Sequence, residues 1–175
     1  MQLTKGFEQA ACILALLATQ KQNVPLTSVV IHTRLGGSQT YLRKIMRKLV
    51  VAGLIQSVSG NQGGFTLGRP ADEISVWDAV VATEIIDSYP NNGLIDQVFD
   101  DLEPLANRGS QVLTDLFAEA DRRYASALQA VSVHQVLVKI FQSTIIPTVD
   151  WNDSVENATR FTEQLKRLLR GGHMV

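Results

Sequence analysis

The fold class this sequence predicts is mainly α: a winged helix-turn-helix with a small β-hairpin wing, followed by a long C-terminal helix. Three observations carry the prediction. A basic helical pattern, Gln39 to about Ala52, follows a sharp Gly36-Gly37 turn. A hairpin pattern comes next, with a glycine-rich tip at Ser59-Gly60-Asn61-Gln62-Gly63-Gly64. Charge is divided along the chain: residues 1–70 hold eight Lys and Arg against one acid, a net of +7. Residues 71–175 hold eight against sixteen, a net of −8, so the whole chain carries −1. A basic N-terminal part on an acidic remainder points to a nucleic-acid-binding module on a separate scaffold.

Each element has its own signal. From Leu3 to about Thr19 the chain is rich in Ala and Leu, and Phe7, Ala11, Leu14, Ala15 and Ala18 recur at three- and four-residue steps, which predicts a first helix. Asn23-Val24-Pro25 breaks it, and Thr27 is placed to N-cap a short helix to about Arg34. Leu35-Gly36-Gly37 ends that helix, and Ser38 caps the next. Within Gln39 to Ala52, Leu42, Ile45, Met46, Leu49 and Val50 make an apolar stripe, and Tyr41 is read as core with them. Thr40, Arg43, Lys44, Arg47 and Lys48 fall on the other side. Two short helices joined by a glycine turn, the second one basic, form a helix-turn-helix whose second helix suits a major groove. Gly53 closes it as a C-terminal cap. Leu54–Val58 and Phe65-Thr66-Leu67 read as paired strands, and the small residues of their tip permit close approach to a nucleic-acid backbone.

Three stretches together resemble the Rrf-two family of bacterial transcription regulators. They are Ser38-Gln39-Thr40-Tyr41-Leu42-Arg43-Lys44-Ile45, then Leu49 through Ala52-Gly53-Leu54-Ile55, then Gly63-Gly64-Phe65-Thr66-Leu67-Gly68-Arg69-Pro70. The likeness continues through Asp72-Glu73-Ile74-Ser75-Val76-Trp77-Asp78-Ala79-Val80. The resemblance implies a homodimer on a palindromic double-stranded DNA operator, with the recognition helix in a major groove and the wing in a neighbouring minor groove. Carried onto this chain, Ser38, Gln39, Thr40 and Arg43 are the base-reading candidates, and Lys44, Arg47 and Lys48 the phosphate contacts. The wing candidates are Ser59, Asn61, Gln62 and Gly63. Many family members have a basic residue where this chain has the neutral Ser59. A winged-helix protein-interaction module without specific DNA binding is therefore the alternative reading.

The expected organisation is a DNA-binding domain at 1–84, a linker or loop at 85–104 and a helical dimerisation region at 105–175. Pro90, Asn91, Asn92 and Gly93 give the middle segment its loop character. In the cluster-binding branch of the family this region carries three cysteines for an iron–sulfur cluster; here it carries none, so no such cofactor is expected. From about Leu105 to Val131, Leu113, Phe117, Ala120, Tyr124, Ala127 and Val131 step by four and three, a seam for pairing across a dimer two-fold axis. Asp153 or Ser154 is placed to cap a last helix striped by Val155, Ala158, Phe161, Leu165 and Leu168. The family's arrangement implies an unidentified small-molecule effector between the winged domain and the long helix.

No catalytic constellation emerges. His32, His134 and His173 are far apart, and neither a phosphate-binding loop nor a nucleophile elbow is present. Trp77 is read as a core anchor under the wing. The single cysteine, Cys12, sits among Ala11, Ile13 and Leu14 and is read as a buried packing residue, with a redox-sensing thiol as the sharper alternative. No apolar run reaches the roughly 20 residues that span a bilayer, and nothing reads as a signal peptide, so a cytoplasmic protein without membrane partners is expected.

Overall fold

The structure, a computed structural model, describes residues 3–86, 89–153, 163 and 166. Helix α1 (Lys5–Ala18) starts at Thr4, whose hydroxyl accepts from the Gly6 N–H. Helix α2 (Ser28–Leu35) is capped by Thr27, and α3 (Gln39–Val51) by Ser38, both at the expected positions. Gly36 and Gly37 take φ of 66° and 78°, the left-handed region where a side chain is strained, and this permits the tight α2–α3 turn. The antiparallel strands β1 (Ile55–Val58) and β2 (Gly64–Leu67) pair from Ile55↔Leu67 to Val58↔Gly64.

The wing is tied to the body on its other edge. Leu26 and Phe65 exchange both backbone hydrogen bonds at 2.9 Å, so the loop before α2 adds a short third rung to the hairpin. Gly64 is required there: a Cβ would stand 2.3 Å from the Leu26 carbonyl oxygen. Helix α4 (Val76–Thr83) opens with a capping box in which Ser75 and Asp78 bond each other's backbone N–H. Arg69, leaving the wing, pairs with the same Asp78 carboxylate at 2.8 Å.

The core gathers Ile13 and Leu14 of α1, Leu26, Ile31 of α2, and Leu42, Ile45 and Leu49 of α3. Burying one such side chain contributes roughly 1.5–3 kcal/mol. The periodicity of α1 is read one step off in the sequence. Its buried face is Gly6, Gln9, Ala10, Ile13, Leu14 and Leu17, while Ala11 is exposed. Alanine fits either face, so an Ala-rich helix gives a weak phase. Tyr41 also departs from expectation, at 39% exposed, and so does Val50, which is exposed near the other end of α3.

The second half differs more. Where a loop was expected, the chain forms α5 (Leu94–Val98) and a 3-10 turn at Asp100–Leu102, and α5 packs on α6 (Glu103–Gln129). The expected seam of α6 is divided between two directions. Tyr124 meets Trp77 edge-on at 6.1 Å, and Phe117 stacks on Tyr89 at 4.8 Å, both within the chain. Trp77 is thus only half-buried and braces α6, not the wing. Only Ala106 is buried along α6 among the described residues.

Helix α7 (Val133–Phe141) returns to the winged module: Val133, Leu137 and Phe141 enter the same core as α1 and α3. The strap after it, residues 149–152, is laced to the connection between α1 and α2. Lys21 N–H donates to the Val149 carbonyl at 2.7 Å, Trp151 N–H to Gln20 Oε1 at 2.9 Å, and Trp151 Nε1 to Thr19 Oγ1 at 3.0 Å. Asn152 accepts from the Thr27 N–H and donates to the Pro25 carbonyl. So the segment 133–152, expected within the dimerisation region, is built into the winged body. The last expected helix lies outside the described residues.

Candidate nucleic-acid interface

Helix α3 positions the site. Its four buried residues, Leu42, Ile45, Met46 and Leu49, fix the roll of the helix against α1 and α4. At 3.6 residues per turn, Thr40, Arg43, Lys44 and Arg47 must then share the opposite face, and all four are exposed. From Thr40 to Arg47 that face spans about 10 Å of rise, comparable to the width of a major groove. No acid interrupts α3. Gln39 is exposed at its first turn. Ser38 is exposed too, but its hydroxyl already accepts from the Tyr41 N–H at 3.4 Å. What it has left to offer is its own O–H and one further lone pair.

Arg43 and Arg47 line a furrow of about 380 Å³ with Ser28 at the start of α2 and Ser57 and Phe65 of the wing. Helix α3, the start of α2 and the hairpin therefore open onto one shared surface. Beyond the furrow Ser59, Asn61 and Gln62 stand exposed at the wing tip. Gly63 is held by the turn itself: its N–H donates to Gly60 at 2.9 Å, and a Cβ would meet the Val58 carbonyl at 2.4 Å. The tip offers polar side chains without a cation, so its electrostatic pull on a phosphate is weak.

Lys48 does not join this face. Its ammonium donates to the Thr83 carbonyl at 2.8 Å, at the C-terminus of α4. That carbonyl has no partner inside its own helix, and a cation suits the negative end of the dipole. Sequence spacing put Lys48 on the polar side of the helix and the family resemblance made it a phosphate contact; the flank of α3 that holds 48 turns towards α4.

Cys12 is exposed, not buried as expected. Partial desolvation raises its thiol above the ordinary value, and the Glu8 carboxylate raises it further. A thiol held protonated is a poor redox sensor. The residues that sequence reasoning missed are Arg34, Trp151 and Asn152. Arg34 lies 4.2 Å from the centroid of the Trp151 ring, across 117 positions of chain, and no local pattern announces such a pairing.

Comparisons with known proteins agree with this geometry. The sequence profile of the Rrf2 (Rrf-two) family, described as iron-dependent transcriptional regulators, matches residues 3–139. A protein named as an HTH-type transcriptional regulator, YwgB of Bacillus subtilis, is 33% identical over 151 residues, covering 86% of this chain and 93% of that protein. The HTH-type transcriptional regulator IscR of Aliivibrio salmonicida is 30% identical over 140 residues, covering 79% of this chain and 78% of that protein. Among solved structures, the cysteine regulator CymR of B. subtilis aligns with a TM-score of 0.57 at 20% identity, over 78% of this chain and 95% of that one. An IscR from T. potens aligns at 0.58 and 20% identity, over 80% and 88%.

The family description names iron, and the residues here do not fit a cysteine-ligated cluster. The one cysteine is on α1, and among the described residues no group of three His, Cys, Asp or Glu side chains is placed to hold a metal. No helix among the described residues is long and apolar enough to cross a membrane. With its helix-turn-helix, wing and matched profile, the chain belongs to the Rrf2 family of DNA-binding transcriptional regulators.

Proposed function

We propose that the protein is a homodimeric, sequence-specific repressor that occupies a palindromic operator. The observation that carries this reading is the shared surface on which Arg43 and Arg47 of α3 converge with the wing and the start of α2. Gln39, Thr40 and Arg43 read base edges, because they stand on the leading part of the exposed face. Lys44 and Arg47 hold phosphates. Ser59, Asn61 and Gln62 touch the neighbouring minor groove through hydrogen bonds, with little charge.

The dimer is supported by what α6 leaves uncovered. Val112 and Leu116 are 59% and 61% exposed, and Leu105, Leu94 and Val98 stand exposed on α6 and the α5 that packs on it. An apolar surface of this kind on a regulator calls for a partner, and a second copy across a two-fold axis repeats it symmetrically. Such a dimer presents two α3 helices to two half-sites. Signalling proceeds without an iron–sulfur cluster, and the protein works in the cytoplasm, where its DNA is.

Fluorescence polarisation on the chain's own upstream DNA, against scrambled duplex across a salt series, tests the reading. Tight binding that prefers the native sequence and weakens steeply with salt is expected, because counterions leave the duplex as cations bind. Binding without preference at every salt concentration would favour the interaction module instead.

A further inference from the structure

Between α1, the end of α2 and α7 lies a cavity of about 550 Å³ that the DNA-facing surface does not use. Its walls are apolar, with Leu16, Leu35, Leu137, Phe141 and Trp151 among them. That size and lining suit a small organic molecule. Among the described residues Lys5 and Arg34 line it against one acid, Glu8, and neither cation forms an ion pair.

Arg34 is already oriented. Its guanidinium lies over the Trp151 ring at 4.2 Å from the centroid. Stacking uses the face of the group and leaves the in-plane N–H donors for a carboxylate. It also removes rotamer freedom that binding would otherwise have to restrict. On the α1 side Gln9 lines the same cavity, 7% exposed, and its Oε1 has no hydrogen-bond partner among the described residues. A buried acceptor left unpaired is unfavourable, so a ligand hydroxyl or N–H that draws the Gln9 amide towards the cavity gains by supplying the missing donor.

We infer that this cavity binds a small aromatic carboxylate bearing a hydroxyl or ring N–H, with its ring among Leu16, Phe141 and Trp151 and its carboxylate on Arg34. Lys5 adds positive potential. The site has a route to the DNA-binding face: Arg34 and Leu35 are the last two residues of α2, next to the glycine turn that aims α3. The binding site itself stands whether or not the chain binds an operator.

Cys12, the chain's single cysteine, lines the same cavity and is exposed, so its alkylation reads occupancy without DNA. The chain is treated with N-ethylmaleimide at about pH 7, where salicylamide keeps its phenol proton, and followed by intact mass. Salicylate and indole-3-acetate are the probes, and salicylamide and indole-3-acetamide their uncharged controls. Both carboxylates should slow alkylation saturably and the amides should not. Arg34→Gln should raise the half-protecting concentration about tenfold or more, the usual size of a lost charge-assisted contact. Ile140→Glu should weaken protection too, since it adds a negative charge to a lining position that is 61% exposed and so leaves the core packed. The inference is overturned by no protection at millimolar probe, by equal protection from the amides, or by protection unchanged in both variants. It is also overturned if Cys12 fails to react in the ligand-free chain, because the chain then fills its own cavity.

Discussion

Lys48 and Arg47 are neighbours on α3 with opposite assignments, and substituting each by Met separates them. Lys48 donates to the Thr83 carbonyl at the end of α4 at 2.8 Å, whereas Arg47 lies on the exposed face and lines the furrow towards the wing. Met keeps most of either apolar stem, so the substitution removes mainly charge and donors. A hydrogen bond from a charged group contributes about 1.5–3 kcal/mol when dry. Lys48 is half-buried, so screening brings the expected loss to about 1 kcal/mol. For a chain of this length that is a fall of roughly 2–4 °C in Tm. Its DNA affinity should keep the wild-type salt dependence. Arg47→Met should do the reverse: stability should stay within about 0.5 kcal/mol, and the salt slope should fall by about 1, as for one lost phosphate contact. Urea unfolding and polarisation titrations at four salt concentrations, run on both variants, read both quantities. A Lys48→Met variant of normal stability and reduced slope would refute the assignment, because its ammonium would then be on DNA and not on α4.

Three other outcomes follow from the geometry. Gly64→Ala should destabilise the protein by about 1–3 kcal/mol, since its Cβ would meet the Leu26 carbonyl at 2.3 Å and both partners are backbone; thermal unfolding measures it, and a neutral result would mean that the wing is not docked on Leu26. Val112→Glu combined with Leu116→Glu should turn a dimer into a helical monomer by light scattering, with unchanged far-ultraviolet dichroism; a dimer that persists would place the interface elsewhere. Burial pushes the Asp150 carboxyl up, but donors from the Gln20 side chain and the Asn152 backbone and side chain, with the Lys21 charge, outweigh it and hold the group below its ordinary value. A depressed folded value stabilises the fold above the ordinary carboxylate range and ceases to do so as pH falls through the folded value. Asp150→Asn should therefore lower the urea midpoint at neutral pH, and its difference from wild type should shrink in acid; a difference independent of pH would contradict the ionic role.

The winged module was legible because its signals are local. Thr27, Ser38, Gly36-Gly37 and the Gly60–Gly63 turn each act within four residues, and the structure uses each where the spacing puts it, whereas the need for Gly64 comes from Leu26, 38 positions away. The exposed set Thr40, Arg43, Lys44 and Arg47 follows from the same local arithmetic once Leu42, Ile45 and Leu49 fix the buried side. Lys48 escaped it because its partner, Thr83, is 35 residues away. Cys12 escaped because Ala11, Cys12 and Ala15 blur the phase of α1, and small residues tolerate either face. The Trp151 strap escaped entirely, since its bonds to Thr19 and Gln20 close over 130 residues and leave no periodic trace.

Helix α6 shows where periodicity stops being informative. A step of four and three produces an apolar seam whether the seam meets its own chain or another copy, because both contacts obey the same helical repeat. Leu113, Phe117 and Tyr124 satisfy that repeat, yet Phe117 stacks on Tyr89 and Tyr124 on Trp77. The residues left for a second copy are Leu105, Val112 and Leu116, at steps of seven and four, on a different face. The packing of Trp77 on Tyr124 links α4 to α6, while Lys48 links α4 to α3. A dimer formed on the outer face of α6 is therefore connected by direct contacts, through α4, to the helix that carries Arg43 and Arg47. A ligand or substitution that tilts α6 has a route to α3 through α4, with Trp77 and Lys48 among its contacts, and Trp77→Ala should loosen half-site spacing preference before it weakens binding to a single half-site.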